Sequence, residues 1–260
     1  MVSSQPPLIS VVFLWILMHI IVMERKIYLD ILPQPDDTTC GPTCLHAVYR
    51  YYDFNIQLQQ VIEEVKSLEE GGTLAVYLGL HALEQGFNAT LYSYNLQVFD
   101  PTWFSENKRS LRKKLSDQLQ YKKDPGFQLA SRAYMDFIER GGLIRFENLS
   151  GGLLRRYLKS GKPILTGLSA TYLYNCARER VSGKRLLYDD IRGIPTGHFV
   201  VLTGYDKEIK SVFIADPLKP NPFSEFDQYA VTMNRLICAI MLGILTYDAN
   251  LLIVEPKGGA

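Results

Sequence analysis

The order of the hydrophobic patterns along the chain most constrains its fold, because helical patterns come first and strand patterns follow. Between residues 40 and 85, apolar residues recur at three- and four-residue intervals, which glycines at 71 and 72 interrupt and a glycine at 86 ends. From Pro163 onward, short apolar runs alternate with turn residues. This order predicts an α+β fold, in which a helical half packs on an antiparallel sheet.

The same patterns predict the individual elements. Helices are expected at 40–52, 57–68, 74–85, 105–123, 127–140, 152–159 and 231–242. Strands are expected at 26–32, 89–94, 143–146, 163–168, 172–177, 198–205, 212–215 and 251–254. We expect residues 23–260 to form a single domain with a helical insertion around 101–150, and the hydrophobic fraction of 47% suits such a core.

The first 22 residues require a separate interpretation. Residues 8–23, LISVVFLWILMHIIVM, number sixteen, whereas a membrane-spanning helix needs about 20. A signal peptide has a basic segment before its apolar run and a small-residue cleavage site after it. Residues 8–23 are neither preceded by a basic segment nor followed by such a cleavage site. We favour an upstream start, with Met23 opening a cytoplasmic domain. The alternatives are a cleaved signal, or weak membrane association through residues 8–23, with Arg25 and Lys26 keeping the domain in the cytoplasm.

The charge of the chain does not predict nucleic-acid binding. The formal net charge is only +1, so no overall field attracts a polyanion. A basic run from Lys108 to Lys123 contains Asp117 and has Glu106 and Asp124 beside it, and its single aromatic residue, Tyr121, does not form a surface on which bases could stack. We interpret it as a solvated helix face, with an acidic-peptide dock as the alternative.

Cys40 is the strongest candidate for a reactive side chain. It stands where a helix should begin, before Gly41 and Pro42, and proline is best tolerated in the first helical turn. Unpaired N–H groups and the helix dipole at that end favour a thiolate. Gly41 would let a substrate backbone approach, and Gly197, which precedes the histidine considered below, is the second candidate for substrate binding. Gln34, six residues earlier, could donate an amide hydrogen bond to a developing oxyanion.

A histidine and an aspartate later in the chain complete a candidate catalytic set. Gly197 ends a loop and His198 opens an apolar strand, from which an imidazole could take the thiol proton. A hairpin through 204–210 would return the chain beside this strand. Asp216 would then lie near His198 and could hold its orientation.

These motifs carry a specific resemblance. The segments Gln-x5-Cys-Gly-Pro, Gly-His-Phe-Val-Val-Leu-x-Gly-Tyr-Asp and Ile-Ala-Asp-Pro, in this order, resemble the peptidase C39-like branch of the papain-like cysteine peptidases. The resemblance implies Cys40 as nucleophile, His198 as base, Asp216 as orienting acid and Gln34 in the oxyanion hole. It covers residues 26–95 and 160–217 and implies neither a cofactor nor a metal.

The resemblance is closer to stand-alone bacterial members than to exporter-linked ones. The gap between Cys40 and His198 is longer than in exporter-linked members, so their double-glycine leader substrate is not carried over. The implied function is cleavage of a peptide or amide bond in a peptide or protein substrate through a thioester acyl-enzyme. Some stand-alone members are thought to act beside ATP-grasp ligases and acetyltransferases, which implies a peptide-modification system and such pathway partners.

Three alternatives remain at this stage. An amine acceptor in place of water would make the protein a thiol acyltransferase or transpeptidase. A non-catalytic peptide-binding module would lack a catalytic residue, and none is missing here. A zinc protein would use Cys40, Cys44 and His198, although the spacing of the first two is not typical of zinc sites.

Other residues near Cys40 have plainer interpretations. Cys44 lies one helical turn beyond Cys40, and we expect a packed free thiol, with a redox partner as the alternative. Asp36 and Asp37 are expected to form a turn, with recognition of a substrate amine as the alternative.

Overall fold

The computed structural model describes residues 26–69, 71–105, 108–182, 185–246 and 249–258. Residues 8–23, where the sequence suggests a start site or an anchor, lie outside these ranges. None of the helices within these ranges is long and apolar enough to cross a membrane. The domain boundary at residue 23 stays a prediction.

Helices dominate the first half of the described chain, as the spacing of apolar residues predicts. They are α1 (Cys40–Tyr51), α2 (Leu58–Glu64), α3 (Ala75–Glu84), α4 (Lys108–Gln118), α5 (Pro125–Glu139), α6 (Gly151–Lys159), α7 (Ala170–Tyr174) and α8 (Met233–Leu242). Side-chain caps fix several starts. Asp124, for example, accepts a hydrogen bond from the Phe127 N–H, and Pro125 occupies the first turn of α5.

A seven-stranded sheet forms the other layer. The strands are β1 (Phe87–Ser93), β2 (Leu143–Arg145), β3 (Ile164–Ser169), β4 (Glu179–Ser182), β5 (Arg185–Tyr188), β6 (Gly197–Asp206), β7 (Ser211–Ala215), β8 (Gln228–Thr232) and β9 (Asn250–Pro256). The sheet order is β2-β1-β9-β3-β6-β7-β8, and β4 and β5 form a separate hairpin. The pairing is antiparallel except between β1 and β2.

The hairpin predicted between 204 and 210 is confirmed. It joins β6 to β7, with Val201 opposite Ala215 and Asp206 opposite Ser211. β6 is almost entirely buried, because α1 covers it on one face of the sheet. The first ten residues of α1, Cys40–Tyr49, are all buried, so the start of this helix is held rigidly against the sheet.

The segment at 101–150, predicted as an insertion, packs into the same hydrophobic core. Phe137 on α5 is fully buried, and a Cβ added to Gly79 on α3 would lie 2.7 Å from its ring. Glycine at 79 therefore lets α3 and α5 approach each other closely. β2 pairs with β1, so this segment also extends the sheet.

Two predicted strands are wrong. Residues 172–177 were expected to be extended, but α7 ends at Tyr174. The Ser169 hydroxyl caps α7 by accepting from the Tyr172 N–H, and Asn175 ends it with a φ of 56°. These local hydrogen bonds outweigh the β-propensity of the aromatic residues. Residues 26–32 do alternate between exposed and buried, but they form no regular ladder in the described structure.

Candidate active site

Cys40 is the first residue of α1, and a tight turn fixes the chain that leads into it. The Asp36 carboxylate accepts hydrogen bonds from the N–H and the hydroxyl of Thr38, both at 2.8 Å. The Asp36 carbonyl accepts from the Thr39 hydroxyl at 3.2 Å. Partial burial raises the pKa of Asp36, but these hydrogen bonds outweigh it and lower the pKa below its usual value. The turn interpretation of Asp36 is confirmed.

Cys40 and His198 face each other between α1 and the sheet. His198, the second residue of β6, is 5% exposed, and Cys40 is 9% exposed. The imidazole lies close enough to the Cys40 thiol for the two groups to interact electrostatically. Its Nε2 lies 2.8 Å from Asp216 Oδ1, so Nδ1 is the ring nitrogen that faces the sulfur. The three predicted catalytic side chains therefore lie together, with His198 between Cys40 and Asp216.

The register of the hairpin brings Asp216 to His198. Ala215 lies opposite Val201, so the next residue, Asp216, comes opposite Val200 and on the same face as His198. Asp216 is fully buried, and its backbone N–H donates to the Asp227 carbonyl at 2.8 Å. Its position is therefore set by the register of the hairpin with β6 and by a backbone hydrogen bond to the residue that precedes β8.

The electrostatics of the pair favour a charged imidazole. Burial by itself lowers the pKa of His198, but the Asp216 carboxylate, its hydrogen bond and the contact with Cys40 together raise that pKa to about 10. Burial likewise raises the pKa of Asp216, and the His198 imidazolium together with hydrogen-bond donors lowers it below the usual value. At neutral pH the pair is an imidazolium and a carboxylate.

Two tyrosines that the sequence reasoning missed also contact Asp216. The Tyr174 hydroxyl donates to Asp216 Oδ2 at 2.7 Å, and the Tyr229 hydroxyl donates to the same oxygen at 2.6 Å. Nothing in the sequence distinguishes them among 16 tyrosines. Tyr174 also fell within the strand wrongly predicted at 172–177.

Gln34 lies at the start of the turn before Cys40. Its backbone N–H donates to the Pro217 carbonyl at 2.9 Å, which ties this turn to the segment after Asp216. Its Nε2 donates to the Asp36 carbonyl at 2.7 Å. Its Oε1 is buried and has no hydrogen-bond partner among the described residues. The oxyanion-hole role of Gln34 stays a prediction.

The two glycines predicted to bind substrate lie on either side of the site. A Cβ on Gly41 would lie 2.7 Å from Thr73 Cγ2 and 3.3 Å from Phe199, so glycine lets α1 pack tightly on its neighbours. Gly197 begins β6 opposite Ser169 and is partly exposed. A contact of either glycine with substrate stays a prediction.

Cys44 is a packed thiol. It is fully buried, and its Sγ donates to the Phe199 carbonyl at 3.2 Å. Burial, with further contributions from Cys40 and Asp216, raises the pKa of Cys44 well above its usual value, so the thiol remains protonated. In the described part of the chain, no three His, Cys, Asp or Glu side chains are close enough together to hold a metal ion.

The other described histidines lie outside this site. His81 on α3 bonds to the Tyr49 hydroxyl at 2.8 Å and to Glu64 at 3.0 Å. His46 on α1 is buried, and its burial, with the charge of Arg50, lowers its pKa. Neither is placed to act on Cys40.

Comparison with known proteins identifies similar sequences and folds. The sequence model described as Peptidase_C39 like family matches residues 26–235. No curated protein matches the chain. Solved structures at 15% identity include a putative C39-like peptidase from Bacillus anthracis, which covers 90% of this chain and 100% of its own with a TM-score of 0.49.

Two further structures are similar in the same range. Xylellain, a cysteine protease from Xylella fastidiosa, has 15% identity, covers 90% of this chain and 85% of its own, and has a TM-score of 0.42. The peptidase domain of Streptococcus ComA has 16% identity, covers 88% of this chain and 100% of its own, and has a TM-score of 0.40.

Proposed function

Because this chain belongs to the Peptidase_C39 like family and is a cysteine peptidase-like hydrolase with the papain-like α+β fold, we propose that Cys40, His198 and Asp216 are its catalytic residues. The substrate is a peptide or a protein, cleaved at a peptide or amide bond through a thioester acyl-enzyme. One observation carries the assignment, namely the placement of His198 between the Cys40 thiol, with which it interacts, and Asp216, to which it is hydrogen-bonded.

The first half of the reaction forms the thioester. An imidazolium next to a sulfur favours the thiolate, and the start of α1 adds favourable dipoles. The Cys40 sulfur attacks the substrate carbonyl carbon, and the carbonyl oxygen becomes an oxyanion. The His198 imidazolium then gives its Nδ1 proton to the leaving amine, the carbon–nitrogen bond breaks and the thioester remains.

The second half regenerates the enzyme. Neutral His198 takes a proton from a water molecule, whose oxygen attacks the thioester carbonyl. The carbon–sulfur bond breaks, the acid product leaves, and the thiolate–imidazolium pair is restored. Asp216 keeps its negative charge throughout and holds Nε2, so that Nδ1 points at the sulfur.

Gln34 and the start of α1 are the proposed oxyanion donors. The first N–H groups of a helix have no partner within the helix, so the Cys40 N–H can donate to the oxyanion. The Gln34 Nε2 carries two hydrogens and can donate one while keeping its bond to the Asp36 carbonyl.

Alkylation of Cys40 tests this proposal without knowledge of the substrate. Iodoacetamide is added between pH 4 and 9, and fragment ions distinguish Cys40 from Cys44. We expect fast alkylation of Cys40 well below pH 8 in the wild type and slow alkylation in His198→Ala. His81→Ala, which removes a buried histidine bonded to Tyr49 and Glu64, serves as the matched control.

The opposite result is equally clear. Alkylation that rises only above pH 8 and is equal in wild type and His198→Ala would show an ordinary thiol at position 40. The catalytic assignment of Cys40 and His198 would then be wrong.

A further inference from the structure

Asp216 has an unusually complete set of hydrogen-bond donors. Oδ1 lies 2.8 Å from His198 Nε2 and accepts from the Leu218 N–H at 3.0 Å. Oδ2 accepts from the hydroxyls of Tyr174 and Tyr229 at 2.7 and 2.6 Å. A carboxylate has about four lone-pair sites, so all of them are used in a site from which solvent is excluded.

The two hydroxyls come from separate elements that one arginine holds together. Tyr174 is the last residue of α7, and Tyr229 is the second residue of β8. Arg235 on α8, which follows β8 directly, donates through Nε to the Leu173 carbonyl at 2.8 Å and through a second nitrogen to the Tyr172 carbonyl at 2.9 Å. This clamp fixes α7 relative to β8 and therefore the two hydroxyls relative to each other.

Tyr174 also contacts the other side of the pair. Its ring lies against the His198 ring, with the two centroids 6.0 Å apart. Tyr174 therefore limits the rotation of the imidazole and of the carboxylate at once.

We propose that Tyr174 and Tyr229 are positioning residues, which keep Asp216 ionised and aligned with His198 in the catalytic chain. The inference rests on the proposed function, because the two tyrosines act only through Asp216 and His198. A plainer explanation is that Asp216 merely satisfies two buried phenols, in which case the tyrosines contribute to stability alone.

The two explanations differ in their dependence on pH. Burial, together with the negative charge of Asp216, raises the pKa of both phenols, so they remain protonated donors at every pH at which the enzyme works. A donor to a carboxylate lowers the pKa of that carboxylate. Removal of one donor therefore raises the pKa of Asp216, and the ion pair with His198 is lost at a higher pH during acidification.

The experiment measures Cys40 alkylation by iodoacetamide from pH 4 to 9 in Tyr174→Phe, Tyr229→Phe and the double variant. The acid limb of the profile is the pH range in which the alkylation rate falls on acidification. We expect its midpoint to rise by about one pH unit in each single variant, which corresponds to the loss of one hydrogen bond to a charged group, and to rise further in the double variant. Tyr92→Phe is the matched control. Tyr92 lies on β1, which β9 and β3 separate from β6. Its replacement removes a hydroxyl that is hydrogen-bonded to Tyr157 and Arg156.

A second measurement tests whether the tyrosines act through Asp216. In an Asp216→Asn background the carboxylate is absent, so Tyr229→Phe should produce no further movement of the acid limb. Movement of equal size in both backgrounds would overturn the inference. So would folded single variants whose profiles match those of the wild type and Tyr92→Phe.

Two further results keep the test decisive. Should a phenylalanine variant fail to fold, 3,5-difluorotyrosine at the same position keeps the hydroxyl as a more acidic donor. The acid limb should then move to lower pH, and an unmoved limb would overturn the inference. Wild-type alkylation that does not depend on His198 would instead refute the proposed function, whatever the tyrosine variants do.

Discussion

Replacement of Asp216 by asparagine should reverse the charge state of His198 at neutral pH. The shape of the side chain is nearly unchanged, but the negative charge that faces Nε2 at 2.8 Å is removed. Burial, which lowers the pKa of His198, would then act without its main opponent. We expect the His198 pKa to fall from about 10 to below 6.5, the ordinary value for histidine.

The magnitude follows from linkage between protonation and folding. The pKa of His198 is higher in the folded protein than in the unfolded chain, so the stabilisation is fully present below pH 6.5 and is lost as pH rises through about 10. The difference between 6.5 and about 10 corresponds to about 5 kcal/mol of unfolding free energy, at about 1.4 kcal/mol per pH unit. The wild type should lose up to this amount over that range, and Asp216→Asn should not.

Two measurements check this prediction. The His198 imidazole is followed by nuclear magnetic resonance between pH 4 and 11, with His198→Ala used to assign its signals. Urea unfolding at pH 6, 8 and 10 gives the free energies of wild type and Asp216→Asn, and the difference between the two proteins removes the common titration of other groups. A His198 signal in Asp216→Asn that still titrates near pH 10, or equal pH dependence of unfolding in both proteins, would refute the reasoning.

Three further predictions concern the neighbours of the catalytic chain. Gly41→Ala should destabilise the protein by about 1–3 kcal/mol, because the added Cβ would lie 2.7 Å from Thr73 Cγ2. Gly152→Ala is the control and should not destabilise it, because the nearest atom to its Cβ would lie 3.5 Å away; thermal unfolding of both variants measures the difference. Cys44→Ser should leave the rate and pH profile of Cys40 alkylation within about threefold of wild type, since a packed thiol takes no part in the reaction; a large loss would favour the redox interpretation. Gln34→Ala should lower the rate of hydrolysis of a p-nitrophenyl ester by about 10²–10³-fold, while the pH profile of Cys40 alkylation stays unchanged. An unchanged rate of hydrolysis would exclude Gln34 as an oxyanion donor.

The proximity of the three candidate catalytic residues could be predicted from sequence because each of them has a local signature. Cys40 stands at a helix start that Gly41 and Pro42 indicate, because proline is favoured in the first helical turn. His198 opens an apolar strand and follows a glycine. Asp216 follows the next strand along the chain, and a short hairpin fixes that pairing. Contacts between neighbouring elements depend on short loops, so their geometry follows from the order of residues alone.

The surroundings of Asp216 depended on tertiary structure. Tyr229 reaches Asp216 because β8 pairs with β7, and Tyr174 does so because a capped turn of helix replaces the predicted strand. β9, the last strand in sequence, lies in the middle of the sheet between β1 and β3.

The sequence by itself therefore determined the α+β fold class, the order of the candidate catalytic residues and the hairpin that joins His198 to Asp216. The tertiary structure alone decided which side chains stabilise that pair. It also decided which glycines, such as Gly41, are packed closely against other parts of the protein. The physical reason is that long-range packing selects a few partners among many chemically identical residues. Nothing in the local sequence marks Tyr174 or Tyr229 in advance.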